Sequence, residues 1–379
     1  MPVNSLQSLH EYGTSVWYDN INREMLKSGE LARLMKEWGL RGITSNPTIF
    51  DNAISAGTAY DAQIKQLQPQ GLSTDSIFEE LALQDIGEAA DLFRPLYDAS
   101  GGNDGFVSIE VSPLLAANTE GTIKEGNRLF ERLARPNIMI KVPGTAEGLP
   151  AVYALLENGV HVNITLLFSV ENYVSVAKTY VEALRARAAR GLPIDKLRSV
   201  ASFFVSRVDS VVDKRLEQIA AESASTDKAK GDLALSLRGK FGIANSRLAY
   251  QHFLQIFYGP NFAELKAQGG VPQRPLWAST GVKNPNYRDT MYVEELVGKE
   301  IVNTMPHATC AAFADHGSAT VEVSKSIEKD VTGAKALQHQ LLALGVDLPQ
   351  LMEELQTDGV KKFAESFQSL NATIAKKLV

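Results

Sequence analysis

Eight short β-rich runs alternate with amphipathic helical stretches along this chain, and that alternation limits the fold more than any other feature. The runs are TSVWYDN (14–20), RGITSNP (41–47), GFVSIEVSP (105–113), NIMIKVPG (137–144), VHVNITLLFS (160–169), SVASFFVSR (199–207), RPLWASTG (274–281) and EIVNTMP (300–306). Between them lie helical patterns such as residues 74–99, with Ser76 and Glu79 spaced as a capping box, and residues 169–189, with an apolar stripe at Val174, Ala177, Val181 and Leu184. Strands alternating with helices argue for a parallel sheet, and eight units argue for its closure into a (β/α)₈ TIM barrel. A doubly wound open sheet competes, but the glycine-rich turn expected after its first strand is replaced here by DNINRE (19–24). The chain is therefore expected to be one barrel domain over 1–379, with helical insertions around 51–104 and 210–272 and a helical tail over about 331–379.

Side chains alternate between the two faces of a strand. Val107, Ile109 and Val111 share one face and Ser108, Glu110 and Ser112 the other. Ile138, Ile140 and Val142 oppose Met139 and Lys141, while Val162, Ile164 and Leu166 oppose Asn163 and Thr165. The apolar sets suit the outer helices, so the polar sets point into the barrel. There they must meet one another, because burying a polar group alone costs a few kcal/mol. They also sit toward the C-terminal ends of their strands, the face that carries active sites in barrel enzymes. The same layout places Asp19 at the end of the first run, Thr44 and Asn46 on one face of the second, and Ser202 in the sixth. Glu110, Lys141 and Asn163 become neighbours.

A lysine amine becomes a nucleophile when desolvation favours its neutral form, and it then forms a Schiff base with a carbonyl. Dehydration of the carbinolamine needs a proton donor and later steps an acceptor, roles that Glu110 or Asp19 can fill. The iminium is an electron sink for breaking an adjacent carbon–carbon bond, so neither a metal nor an organic cofactor is expected. A structural reading stands beside this one. Lys141 and Glu110 could be an ion pair only, Asp19 could cap a helix, and Asn46, before Pro47, could shape a turn.

Taken together the runs resemble the transaldolase family. ITSNPTIF (43–50), SIEVSP (108–113), IMIKVPGT (138–145), VNITLLFS (162–169) and SFFVSRVD (202–209) match that family's strand-end motifs in order. LWASTGVKNP (276–285) is similar to the version in its longer bacterial members, and TMPHATCAAFADHG (304–317) also fits. The resemblance implies transfer of a dihydroxyacetone unit from sedoheptulose 7-phosphate to glyceraldehyde 3-phosphate, with Lys141 as the Schiff-base residue. It implies that Asp19 takes the substrate hydroxyl proton and that Glu110 acts through a water held with Thr165. Asn46 and Asn163 would hold the hydroxyls of the three-carbon unit, with Thr44 and Ser202 supporting. Arg207 and Ser279 would bind phosphate. The second phosphate arginine of shorter family members is missing, and Lys283 is the nearest cation.

The alternatives are a fructose-6-phosphate aldolase, which is shorter and typically has tyrosine where Glu110 stands, and a sugar-phosphate-binding barrel without turnover. A zinc aldolase finds no support, since His161, His252, His307 and His316 lack the spacing of a metal site and Cys310 is the only cysteine. His161 is expected to be a satisfied core residue. With 38 basic against 44 acidic residues the net charge is -6, which offers no footprint for nucleic acid or membrane; RARAARG (185–191) reads as the solvated end of a helix. Residues 1–13 lack a signal-peptide pattern and no run of 18 apolar residues exists, so a cytoplasmic monomer or homodimer acting on phosphosugars is expected.

Overall fold

A computed structural model describes residues 4–378, so the two ends of the expected 1–379 unit lie outside the described residues. Its centre is a closed barrel of eight parallel strands in sequence order. These are β1 (Thr14–Tyr18), β2 (Gly42–Ile43), β3 (Phe106–Glu110), β4 (Ile138–Pro143), β5 (Val162–Leu167), β6 (Ser199–Phe204), β7 (Arg274–Ala278) and β8 (Ile301–Met305). Each falls within one of the eight runs, and the fold is the (β/α)₈ barrel that their number and spacing predict.

The alternation sorts the strands as expected. Val107, Ile109, Ile138, Ile140, Val142, Val162 and Ile164 pack outward with the helices. Trp17, Phe106, Met139, Val200, Leu276 and Val302 fill the barrel's interior below the polar ends. Gly42 is required there: a Cβ on it would stand 2.6 Å from the Trp17 indole, which lies across the barrel floor. At the N-terminal end Asp104 gathers Arg41 at 2.6 Å, Arg274 at 3.3 Å and Ser15 at 2.7 Å, an internal plug on the face where barrels keep stability rather than catalysis.

Three local expectations are corrected. The Thr74–Ala99 helix is capped by Ser73, whose hydroxyl accepts from the Ser76 amide at 3.2 Å, while Glu79 pairs with Arg128 and Arg132. Leu166 does not face the outer helices. The β5 register shifts between Ile164 and Leu167, and Leu166 takes φ 61°, which turns its side chain to the cluster at the barrel's mouth. Arg187 is buried rather than solvated, its guanidinium donating to the carbonyls of Glu157 and Pro193.

The gap after β2 holds the helices Pro47–Ser55, Asp61–Leu67 and Thr74–Ala99, and the gap after β6 holds Ser206–Ser223, Lys228–Ser236, Phe241–Phe257 and Pro260–Ala267. The tail forms Val331–Ala343 and a 30-residue helix, Leu348–Lys377. This C-terminal helix lies across the barrel's C-terminal mouth, packing on the Pro47–Ser55 helix at one side, on β5, and on the Ser206–Ser223 helix at the other. No helix among the described residues is long and apolar enough to cross a membrane.

Candidate active site

The strand register brings the expected ring together. Glu110 on β3 pairs with Lys141 on β4, which pairs with Asn163 on β5. Lys141 Nζ stands 3.7 Å from Glu110 Oε2 and donates to the carbonyl of Ser45 at 3.1 Å. Both side chains are almost fully buried. Ser45 is a partner that alternation cannot reveal, since its contribution is a backbone oxygen just beyond the short β2.

Glu110 is a carboxyl at the edge of ionisation. Burial raises its pKa, and Lys141 only partly offsets that, leaving it at about 7. Neither of its oxygens has a hydrogen-bond partner in the protein, and neither does the hydroxyl of Thr165, one pleat above Asn163. Buried polar groups are normally bonded, so these two are available to a ligand or to a reacting water. Glu110 also borders, with Ser45, Asn46 and Ser112, a cavity of about 370 Å³ whose other walls come largely from the Thr74–Ala99 and Thr119–Leu133 helices and which Lys141 does not line.

The folded state holds a proton on Glu110 up to about 7, whereas a carboxyl in the unfolded chain releases it near its usual 4.5. Between these values the folded state binds more protons, so its stability is fully present below 4.5 and is lost as pH rises through 7. Glu110→Gln removes this dependence. Between pH 4.5 and pH 8, chemical denaturation of the wild type should lose on the order of 3 kcal/mol relative to the variant. Parallel stability curves for the two proteins would contradict the shifted carboxyl.

The remaining residues form supports. Thr44 donates to Asp19 Oδ1 at 2.6 Å, and its hydroxyl lies 2.7 Å from that of Thr304 on β8. Asp19 extends the β1 ladder by donating its amide to Met305. Ser202 donates to Asn163 Oδ1 at 2.6 Å, and Asn163 Nδ2 donates to Ser108 at 3.1 Å. One Asn163 hydrogen is left for a ligand. Asn46 serves as the cap of the Pro47–Ser55 helix, its Oδ1 accepting from Ile49 at 3.0 Å, which leaves its amide nitrogen to donate.

Arg207 and Ser279 follow β6 and β7, and Ser279 contacts Ser206, the neighbour of Arg207. Arg207 is the second residue of the Ser206–Ser223 helix, and its guanidinium lies 4.9 Å from the Phe204 ring. Ser279, at φ 55°, accepts the Ser206 amide on its carbonyl and faces the Ser206 hydroxyl at 2.9 Å. A helix N-terminus beside a guanidinium suits an anion. Lys283 is not drawn in. It is exposed and lines a shallow cleft with Asp209, Asp213 and Glu217, further along the same helix.

Two residues considered for other chemistry are structural. His161 is buried and accepts from the Arg198 amide at 3.1 Å, and burial pulls its pKa down to about 4. Cys310 is buried, which pushes its thiol above the ordinary range and keeps it unreactive.

The family model described as Transaldolase/Fructose-6-phosphate aldolase matches residues 16–374. The chain is similar to Transaldolase 2 of Nostoc punctiforme, at 45% identity covering 100% of this chain and 98% of that protein. It is 44% identical to a transaldolase of Saccharopolyspora erythraea, covering 100% and 99% of the two chains. A transaldolase of Thiobacillus denitrificans is 42% identical over 98% of this chain and 100% of its own. Among solved structures, a citrate lyase from Burkholderia xenovorans overlaps 73% of this chain and 92% of its own at 12% identity and a TM-score of 0.25, too distant to carry an argument.

Proposed function

Since this chain belongs to the transaldolase/fructose-6-phosphate aldolase family, we propose that it moves a dihydroxyacetone unit between phosphosugars through a Schiff base on Lys141. The donor is sedoheptulose 7-phosphate and the acceptor glyceraldehyde 3-phosphate, giving erythrose 4-phosphate and fructose 6-phosphate. The observation that carries this reading is the buried pair at the mouth, a lysine 3.7 Å from a carboxyl that titrates near neutrality.

The Lys141 amine attacks the ketose carbonyl carbon. Glu110, with no protein partner and a pKa of about 7, can give a proton to the departing water and take one back during hydrolysis. Thr165, equally unpartnered, supports holding that water. Asp19 accepts the proton of the C4 hydroxyl as the C3–C4 bond breaks, held in place by the 2.6 Å bond from Thr44. The electron pair of the broken bond passes into the iminium and leaves an enamine. Asn163, fixed by Ser108 and Ser202, and Asn46, fixed by its cap, each keep a donor for the fragment's hydroxyls. Acceptor arrival reverses the sequence. Glu110 in place of a tyrosine and the helical tail favour transfer over simple cleavage.

Arg207 and Ser279 support phosphate binding; the exposed Lys283 is left out of it. Arg207→Ala should lower kcat/KM for phosphorylated substrates about 10- to 100-fold, mostly through KM, because a charge-assisted hydrogen bond to phosphate contributes about 1.5–3 kcal/mol. An unchanged KM would remove Arg207 from the site. The function itself is tested by supplying fructose 6-phosphate and erythrose 4-phosphate. Formation of sedoheptulose 7-phosphate and glyceraldehyde 3-phosphate is the expected result, and release of dihydroxyacetone as the main product would identify an aldolase instead.

A further inference from the structure

We infer that Phe363, on the C-terminal helix, is a specificity-determining residue: its ring roofs the lysine pocket and shields the enamine carbon from solvent. The inference rests on the transfer reading above.

Gln356, Gly359 and Phe363 are three and four residues apart, so they share one face of the Leu348–Lys377 helix. Gln356 Nε2 donates to the carbonyls of Gly144, at 3.2 Å, and Leu166, at 3.1 Å, the chain ends of β4 and β5. Gly359 admits the side chain of Leu166, since a Cβ there would stand 2.9 Å from Leu166 Cδ2. These two contacts fix the helix on the strands that carry Lys141 and Thr165. One turn further on, the buried Phe363 ring is centred 5.5 Å from Lys141 Nζ.

The surroundings of the Lys141 amine therefore have two unlike sides. Glu110 and Thr165 offer unpartnered polar atoms on the barrel wall, where a water can be held and used. The roof is a phenyl ring with no hydrogen-bonding atom.

That division matters after the carbon–carbon bond breaks, when the enamine has two fates. Its carbon can attack the acceptor aldehyde, forming a new C–C bond while the aldehyde oxygen takes the proton from Asp19. Alternatively the carbon takes a proton from solvent, water adds to the resulting iminium, and dihydroxyacetone leaves as the Lys141 amine is restored. An apolar roof over the amine slows the second fate without removing the water that Glu110 needs for hydrolysis of the finished product.

The test measures free dihydroxyacetone released per transfer event, in wild type, Phe363→Ala and Phe363→Leu, with fructose 6-phosphate and erythrose 4-phosphate as substrates. Phe363→Ala is expected to raise this ratio about tenfold, equivalent to about 1.4 kcal/mol between the two barriers. Phe363→Leu keeps most of the volume and is expected to fold even where the alanine variant does not; it should give a smaller but measurable rise. Loss of packing alone would lower both fates together and leave the ratio flat, and a flat ratio in either soluble variant overturns the roof. A wild type with neither transfer nor a borohydride adduct overturns the proposed function and this inference together.

Discussion

Lys141→Met is expected to abolish transfer, lowering the rate on the order of 10⁴-fold or more, while the barrel stays folded. Methionine keeps the long unbranched shape of lysine and is accepted in apolar surroundings. It removes only the amine, and with it the bond to the Ser45 carbonyl and the charge 3.7 Å from Glu110. Deleting one partner of a buried ion pair is normally destabilising because the other charge is left alone. Glu110 escapes this penalty by taking a proton. Its pKa is already at about 7 with Lys141 present, and Lys141 is the group that holds it down. Thermal unfolding near neutral pH should therefore be close to that of the wild type. Retained transfer in this variant would leave the buried pair a structural feature only.

Asp19→Asn should separate carbon–carbon chemistry from imine formation. Asparagine keeps an oxygen to accept the 2.6 Å hydrogen bond from Thr44, so the geometry at the end of β1 is preserved. It cannot accept the C4 hydroxyl proton. Removing a general base typically costs about 10²- to 10⁴-fold, and that fall should appear in transfer. The adduct between Lys141 and fructose 6-phosphate should still form, because Glu110 and Thr165 are untouched. Reduction by borohydride followed by intact-mass measurement distinguishes the two steps. Equal loss of adduct and of transfer would assign Asp19 to imine formation or to folding.

How far these residues can be read from the sequence depends on whether a local rule covers them. Strand alternation is local, and it places Glu110, Lys141, Asn163 and Thr165 in the interior from their parity alone. Ser202 and Thr44 follow the same rule, but their partners do not: that Ser202 bonds to Asn163 and Thr44 to Asp19 depends on how neighbouring strands pair. Leu166 breaks the alternation because a register shift and a positive φ intervene, and no residue type in ITLLFS announces either. The Thr74–Ala99 helix begins inside a run of Ser and Thr in which several hydroxyls could cap it, so the pattern finds the helix but not its cap. Arg187 belongs to a basic run at a helix end that reads as solvated, but its guanidinium finds the carbonyls of Pro193, six residues on, and of Glu157, at the end of the Gly148–Glu157 helix, which the tertiary fold brings beside it. Lys283 is the cation nearest in sequence to Ser279, but the chain after β7 carries it away to a cleft with Asp209, Asp213 and Glu217. Gln356 and Phe363 are the hardest to read. They lie more than 180 residues from the strand ends they touch, and within the tail they resemble any amphipathic helix.

Trapping the covalent adduct decides whether Lys141 forms the Schiff base. The wild-type protein is incubated with fructose 6-phosphate, reduced with borohydride, digested and mapped by mass spectrometry. The expected result is a single reduced adduct on the peptide containing Lys141, absent from Lys141→Met. An unmodified protein, or an adduct on any other lysine, would exclude Lys141 as the Schiff-base residue.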